Sequence, residues 1–242
     1  MVRLKSRSTA LPAFVPPQLA TLAAVPPEGA DWVHEIKYDG YRAIAALAGK
    51  RCRIYTRSGQ DWTEKFASVA AALTRMDVGS ALLDGEIVAL DGDGRSRFQL
   101  LQAGLKDASV PLTYFVFDIL ELDGADLRGE PLKAILKKLL RGAPSAIRYS
   151  EDVAGHGAKV LAQASALGLE GIVSKQSDKP YVSRRSLSWL KSKVLGNEEF
   201  VIGGYRVSDK KGRSFASLLL GKFEGGKLHY RGRVGTGFDA DT

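Results

Sequence analysis

Four short segments of this chain alternate like buried β-strands, yet they carry ionisable side chains where a core strand should be apolar. They are "HEIKYDG" at residues 34–40, "LLDGEIVAL" at 82–90, "YFVFDIL" at 114–120 and "SWLKSK" at 188–193. Side chains two apart on a strand share a face. Glu35 and Lys37 therefore point together, as do Asp84 and Glu86, Phe115 and Phe117, and Lys191 and Lys193. One such segment would be an ordinary solvated edge. Four in one chain leave acids and lysines that need partners or a ligand, because an uncompensated charge inside a core is costly.

The balance of 35 Lys and Arg against 27 Asp and Glu gives a net charge of +8, which points to an anionic partner: nucleic acid, nucleotide or acidic lipid. With 242 residues, 45% of them hydrophobic, the chain has material for one large domain or two modest ones. Its single cysteine, Cys52, excludes an internal disulfide and fits a reducing compartment. Cys52 alternates within "RCRIYTR" and reads as a packing residue. No apolar run reaches the length of a membrane span, and "MVRLKSRSTALPAF" lacks the apolar core of a signal peptide. A cytoplasmic protein without membrane contact is expected.

Residues 1–30 hold five prolines and read as an extended arm across a surface. Strands are expected near 32–37, 41–48 and 51–57. Residues 61–75 have helical spacing, with Asp61 or Thr63 as N-cap. "SALLDGEIVALDGDG" reads as a strand ending in a turn, "FQLLQAGL" as a short helix and "LTYFVFDIL" as a central strand. "PLKAILKKLLR" begins with proline at a helix start, and the "LKKLLRG" that ends it reads as a solvated helix face and not as a DNA patch. A helix over 157–168 and short strands at "EGIVSK" and "SWLKSK" follow. His34 reads as structural, Tyr38 and Tyr41 as packing, and His156 and His229 as solvated turn residues. Near Gly196 the character changes to three strands without a helix, "EEFVIGGYRV", "SFASLLLGKFE" and "KLHYRGRVG".

The residue types suit a nucleoside triphosphate. Lysines neutralise phosphates as compact charges, carboxylates hold a divalent metal, and an aromatic ring offers a stacking face. No G-x-x-x-x-G-K-[ST] is present, so this is not a P-loop, and no G-x-G-x-x-G follows a strand. Three scattered histidines and one cysteine argue against a structural zinc site.

The ordered set "EIKYDGYR", "TRSG", "LLDGEIVALD", "YFVFDIL", "EGIVSK" and "WLKSK" resembles the covalent nucleotidyltransferases. Within them it is most similar to ATP-dependent DNA ligases of the bacterial ligase D type, as are "LPAFVPPQLATL" and "FVIGGYR…LLLG…GRVGTGF". A lone K-x-D-G is weak, but six motifs in order make a specific signal. The resemblance implies an α+β adenylation domain of antiparallel sheets with flanking helices over residues 1–195. The start of an OB-type β-barrel follows over 196–242. It implies that Lys37 attacks the α-phosphate of ATP and carries AMP. A free lysine, with a pKa of about 10.4, is charged and cannot attack. Lys191, Lys193 and a Mg or Mn ion would disfavour the ammonium.

The other roles come from the same resemblance. Glu35 would contact the adenine amino group and Phe117 would stack on the base, although Phe115 shares its strand parity. Arg42 and Arg57 would lie near ribose and phosphates, and Lys175, Lys191 and Lys193 would contact phosphates. Glu86 would hold the ribose and serve the metal with Glu170. Asp39 would be a metal-site or orienting acid, and Gly40 would make the tight turn beside Lys37. The substrate would be nicked or broken duplex DNA in non-homologous end joining. End-joining proteins or polymerase and nuclease modules would be partners, at the bacterial nucleoid. The resemblance breaks off after three of about five barrel strands. That reads as a C-terminally truncated fragment or a degraded protein, with the segment that orients pyrophosphate missing. Two alternatives stay open: an RNA ligase or capping guanylyltransferase, and a non-catalytic module that binds DNA ends.

Overall fold

The computed structural model describes residues 10–130, 132–194, 200–208 and 215–235, except for the Leu132 side chain. The first residues of the arm, Pro131, the junction at Gly196 and the last residues of the chain lie outside that set. The chain divides into two compact units, Met1–Val194 and Leu195–Thr242.

The first unit contains two sheets. One has β4 (Arg51–Thr56), β3 (Tyr41–Ala48), β5 (Ser80–Ala89), β6 (Leu112–Leu122) and β7 (Ala125–Asp126) in that spatial order, with β8 (Ile147–Tyr149) beside β6. The other has the order β1 (Leu19–Leu22), β11 (Arg185–Lys193), β10 (Gly171–Gln176), β2 (Trp32–Ile36) and β9 (Asp152–Ala154). Helices α1 (Ala67–Leu73), α2 (Phe98–Gly104), α3 (Leu132–Leu139) and α4 (Gly157–Ala166) complete the unit.

The period of two along β3, β5 and β6 sorts their side chains into two sets. Ala43, Ala45, Leu47, Leu83, Ile87, Tyr114, Val116 and Ile119 form the main core with Val69 and Leu73 of α1, Leu101 of α2 and Leu136 of α3. Ile44, Ala46, Leu82, Phe117 and Leu120 point the other way and pack with Tyr181 and Trp189. Each fully buried aliphatic side chain contributes about 1.5–3 kcal/mol. The smaller cluster joins the two sheets and forms the floor of the space between them.

Four features differ from the reading of the sequence. Residues 61–63 do not start a helix. The Asp61 carboxylate accepts from the Thr63 N–H and hydroxyl, Trp62 donates to the Ile54 carbonyl, and Thr63 Oγ1 accepts from the Ile54 N–H. Local side-chain bonds of this kind compete with the helix, and α1 begins only at Ala67. Part of the Pro-rich arm is a true strand, since β1 pairs in parallel with β11. With β6–β8 also parallel, the sheets are mixed and not wholly antiparallel. His229 lies within a strand and not in a turn.

Among its described residues, the second unit is an antiparallel sheet of β12 (Val201–Val207), β13 (Phe215–Glu224) and β14 (Lys227–Val234). A Gly225–Gly226 turn with positive φ at both residues joins the last two strands.

Candidate active site

The register of the β1-containing sheet sets out one wall of the site. Glu35 lies opposite Val173, and Val173 lies opposite Lys191. Two residues along, Lys175 lies opposite Trp189. All five side chains line one cavity of about 220 Å³, with Lys37 just past the end of β2. The other sheet supplies Arg42, Glu86 and Phe117. Arg57, Arg185, Tyr38, Leu19 and Ala20 also reach it. The cavity is therefore basic and half apolar, with acids at two points.

Gly40 permits the close packing beside Lys37. A Cβ there would lie 2.3 Å from the Ile87 carbonyl oxygen. The reason for glycine is thus close approach to β5 and not the turn expected from the sequence. Lys37 itself is held by its N–H on the Gly171 carbonyl, 2.9 Å away. Its ammonium is ion-paired to Glu170, whose other oxygen is 3.4 Å from Lys193.

Buried charges tie the sheets together. Arg42 grips Asp84 with two bonds, at 2.5 and 2.6 Å, and lies 4.5 Å above the Phe117 ring. Tyr181 donates to the same carboxylate at 2.6 Å and accepts from the Gln18 N–H at 2.9 Å. Lys175 reaches both Glu35 and Asp118 at 2.9 Å, and Lys133 of α3 bonds Glu35 and the Phe117 carbonyl. Burial alone would raise the Glu35 carboxyl, but Lys133 and Lys175 outweigh it and hold it below the usual carboxylate range. Glu86 behaves oppositely. Desolvation pushes it up to about 7, only partly offset by Arg42 and Lys37, and Asp84 and Glu170 add to the rise. Lys191 is lowered, first by desolvation and then by Lys37, Arg185 and Lys193.

Of the residues singled out in the sequence, the structure brings Glu35, Lys37, Arg42, Arg57, Glu86, Phe117, Lys175 and Lys191 to one cavity. Glu170 and Lys193 join it through Lys37 and through each other. Asp39 does not line the cavity; its N–H donates to Ser96 Oγ at 3.1 Å. Among the described residues no three His, Cys, Asp or Glu side chains gather into a metal cluster, so Asp39 does not complete a three-acid site with Glu86 and Glu170. Phe115 is stacked on Tyr38 at 4.2 Å, which leaves Phe117 as the phenylalanine of the cavity.

Sequence reasoning missed Trp189, Gln18, Tyr181 and Lys133. Trp189 had a signal, because it shares a strand face with Lys191. Lys133 stands three residues before buried Leu136, at the edge of the helix's apolar stripe. Gln18 and Tyr181 act through long-range bonds and left no local pattern.

A family model described as ATP dependent DNA ligase domain matches residues 17–193. The multifunctional non-homologous end joining protein LigD of Pseudomonas aeruginosa is 38% identical over 240 residues, which is 96% of this chain and 28% of that protein. The chain thus spans less than a third of the length of that relative. The crystal structure of the ligase domain from Mycobacterium tuberculosis LigD superposes with a TM-score of 0.66 at 33% identity, over 93% of this chain and 74% of that one. A mycobacterial DNA ligase D complexed with ATP and MES gives a TM-score of 0.67 at 32% identity, over 93% and 73%. With its motif-bearing strands folded around a lysine-lined cavity, the chain belongs to the ATP-dependent DNA ligase domain family.

Proposed function

We propose that this chain joins DNA strands through a lysyl-AMP intermediate, with Lys37 as the nucleophile. The observation that carries the reading is the position of Lys37. It stands at the end of β2, lines the cavity, and has Arg57, Arg185 and Lys191 around the same space. In the first step the Lys37 Nζ lone pair attacks the α-phosphorus of ATP, and the bond to the β-phosphate oxygen breaks as pyrophosphate leaves. Lys37 starts as the partner of Glu170, so that ion pair opens and the amine gives up its proton before attack. Arg57, Arg185 and Lys191 would neutralise the phosphates, and Phe117 with Val173 would sandwich the base. A 5′-phosphate at a nick then takes the AMP from Lys37, and the 3′-hydroxyl displaces AMP to seal the strand.

A divalent metal fits the acids that are present. Glu86 is a desolvated carboxylate short of positive charge, and Glu170 is close enough to raise it further. Two hard oxygen donors of this kind would hold Mg or Mn with phosphate oxygens completing the shell. The ion would add charge neutralisation at the phosphates. Lys175 and Lys193 are read as phosphate-side charges, although Lys175 in this state is spent on Glu35 and Asp118. Asp39 is read as an orienting acid.

The natural substrate is proposed to be nicked or broken duplex DNA in non-homologous end joining in the bacterial cytoplasm, at the nucleoid. End-joining proteins and polymerase or nuclease modules would be the partners. The names of the LigD relatives support this reading. The three-stranded second unit is proposed to be the first part of an OB-type barrel. A labelled nicked duplex tests the function. Ligation with ATP and metal is expected for the parent chain and absent from Lys37→Ala. Lys37→Ala should still seal a nick that already carries 5′-AMP, because its own step is then complete.

A further inference from the structure

Lys133 has no part in the chemistry outlined above, and it does not line the cavity. Its ammonium nevertheless reaches through from α3 to bond Glu35 and, at 2.9 Å, the Phe117 carbonyl. Glu35 is 2% exposed. Its two oxygens are treated differently. Oε1 receives Lys133 and Lys175, while among the described residues Oε2 has a long 3.4 Å contact from Ser150 Oγ. Acceptor capacity is therefore left on a carboxylate that faces the cavity.

We propose that Lys133 is a positioning residue that sets base specificity, by holding Glu35 as an acceptor-only group aimed at the nucleotide base. The proposal rests on the reading of Glu35 as the base-contacting acid. An ionised carboxylate accepts hydrogen bonds and donates none. Adenine presents an amino donor on its exocyclic edge, where guanine presents an oxygen. A carboxylate there pairs with the first and repels the second, and a buried polar mismatch is rejected strongly.

Charge balance explains why one lysine does not suffice. Lys175 is shared between Glu35 and Asp118. With Lys133 present, two ammonium groups face two carboxylates. Without it, one ammonium serves both, and the pair tends to take up a proton. A protonated Glu35 has a hydroxyl donor and suits the guanine oxygen. The titratable and charged groups that face Glu35 are Lys133, Lys175, Asp118, Asp152, Tyr38 and Tyr149. Burial raises the Asp118 carboxyl, so it shares that proton with Glu35, while Asp152 deepens the deficit and the two tyrosines stay neutral. The Lys133 bond to the Phe117 carbonyl also fixes the acid relative to the ring beneath the base.

Calorimetric titration of the 242-residue chain with ATP and with GTP tests this without requiring turnover. The parent should prefer ATP, with a ratio that is flat between about pH 6 and 8, because Glu35 stays ionised across that interval. Lys133→Met should cut the ratio by about tenfold or more, and further as the pH falls. Lys133→Arg should retain it. Lys133→Gln, which keeps a donor without the charge, covers the case in which the Met variant does not fold. A purely structural role would weaken both nucleotides equally and leave the ratio unchanged, which would overturn the proposal. If Glu35→Gln moves the ratio and Lys133→Gln does not, the proposal alone falls. If the parent has no preference, or Glu35→Gln leaves it unmoved, the reading of Glu35 falls and takes the proposal with it.

Discussion

At the residue scale, the two phenylalanines of β6 separate by what already covers them. Phe115 is stacked on Tyr38, while Phe117 faces the cavity between Arg42 and Lys175. Phe117→Ala should weaken ATP binding by about 1–3 kcal/mol, and Phe115→Ala should weaken it less. Isothermal titration distinguishes them, and equal losses would assign the stacking face wrongly. Glu86 makes a second prediction. Its carboxyl is raised from 4.5 to about 7 in the folded chain. Across that interval the folded state keeps a proton that the unfolded chain has released, so stability of the nucleotide-free chain is greatest at the acidic end. It should fall as pH rises toward 7 and level off above. Melting curves over this range should flatten in Glu86→Gln. A parent curve that rises across the interval would contradict the desolvated site.

At the element scale, the arm before β2 is part of the site. Gln18 is fully buried and bonds Tyr181, Ser186, Ser188 and Val182, while its carbonyl accepts from Arg42. Tyr181 in turn orients Asp84, which grips Arg42. Tyr181→Phe should cost about 1–3 kcal/mol of stability, since a buried bond is lost. It should also slow Lys37 adenylation by loosening Arg42. Chemical denaturation and a charging assay measure the two effects, and an unchanged midpoint would show that the hydroxyl carries no weight. The sequence was informative for strands and motifs because alternation is local. It was silent on this network, whose members are up to 170 residues apart. Parity also had a limit. The register shifts so that Gly85 lies opposite Val116 while Asp84 lies opposite Asp118, leaving Phe117 as an extra residue. Asp118 thereby reaches Lys175 on the cavity side, although strict alternation from Phe117 would point it away. The late start of α1 has a similar cause, in side-chain bonds that compete with helix.

At the scale of the whole molecule, the net charge of +8 fits the proposed DNA substrate, a polyanion. Binding to nicked duplex should fall steeply with salt, with a log–log slope of about −0.9 for each phosphate neutralised. Fluorescence anisotropy across a salt series measures it, and a flat dependence would remove the electrostatic part of the DNA reading. The proposed role of Lys37, between the two sheets, is to carry AMP covalently. Intact mass after incubation with ATP and magnesium, followed by peptide mapping, reads that role out. One AMP is expected on the peptide containing Lys37, lost in Lys37→Ala and in Lys37→Arg. An adduct on another lysine with Lys37 unmodified, or one that persists in Lys37→Ala, would contradict it.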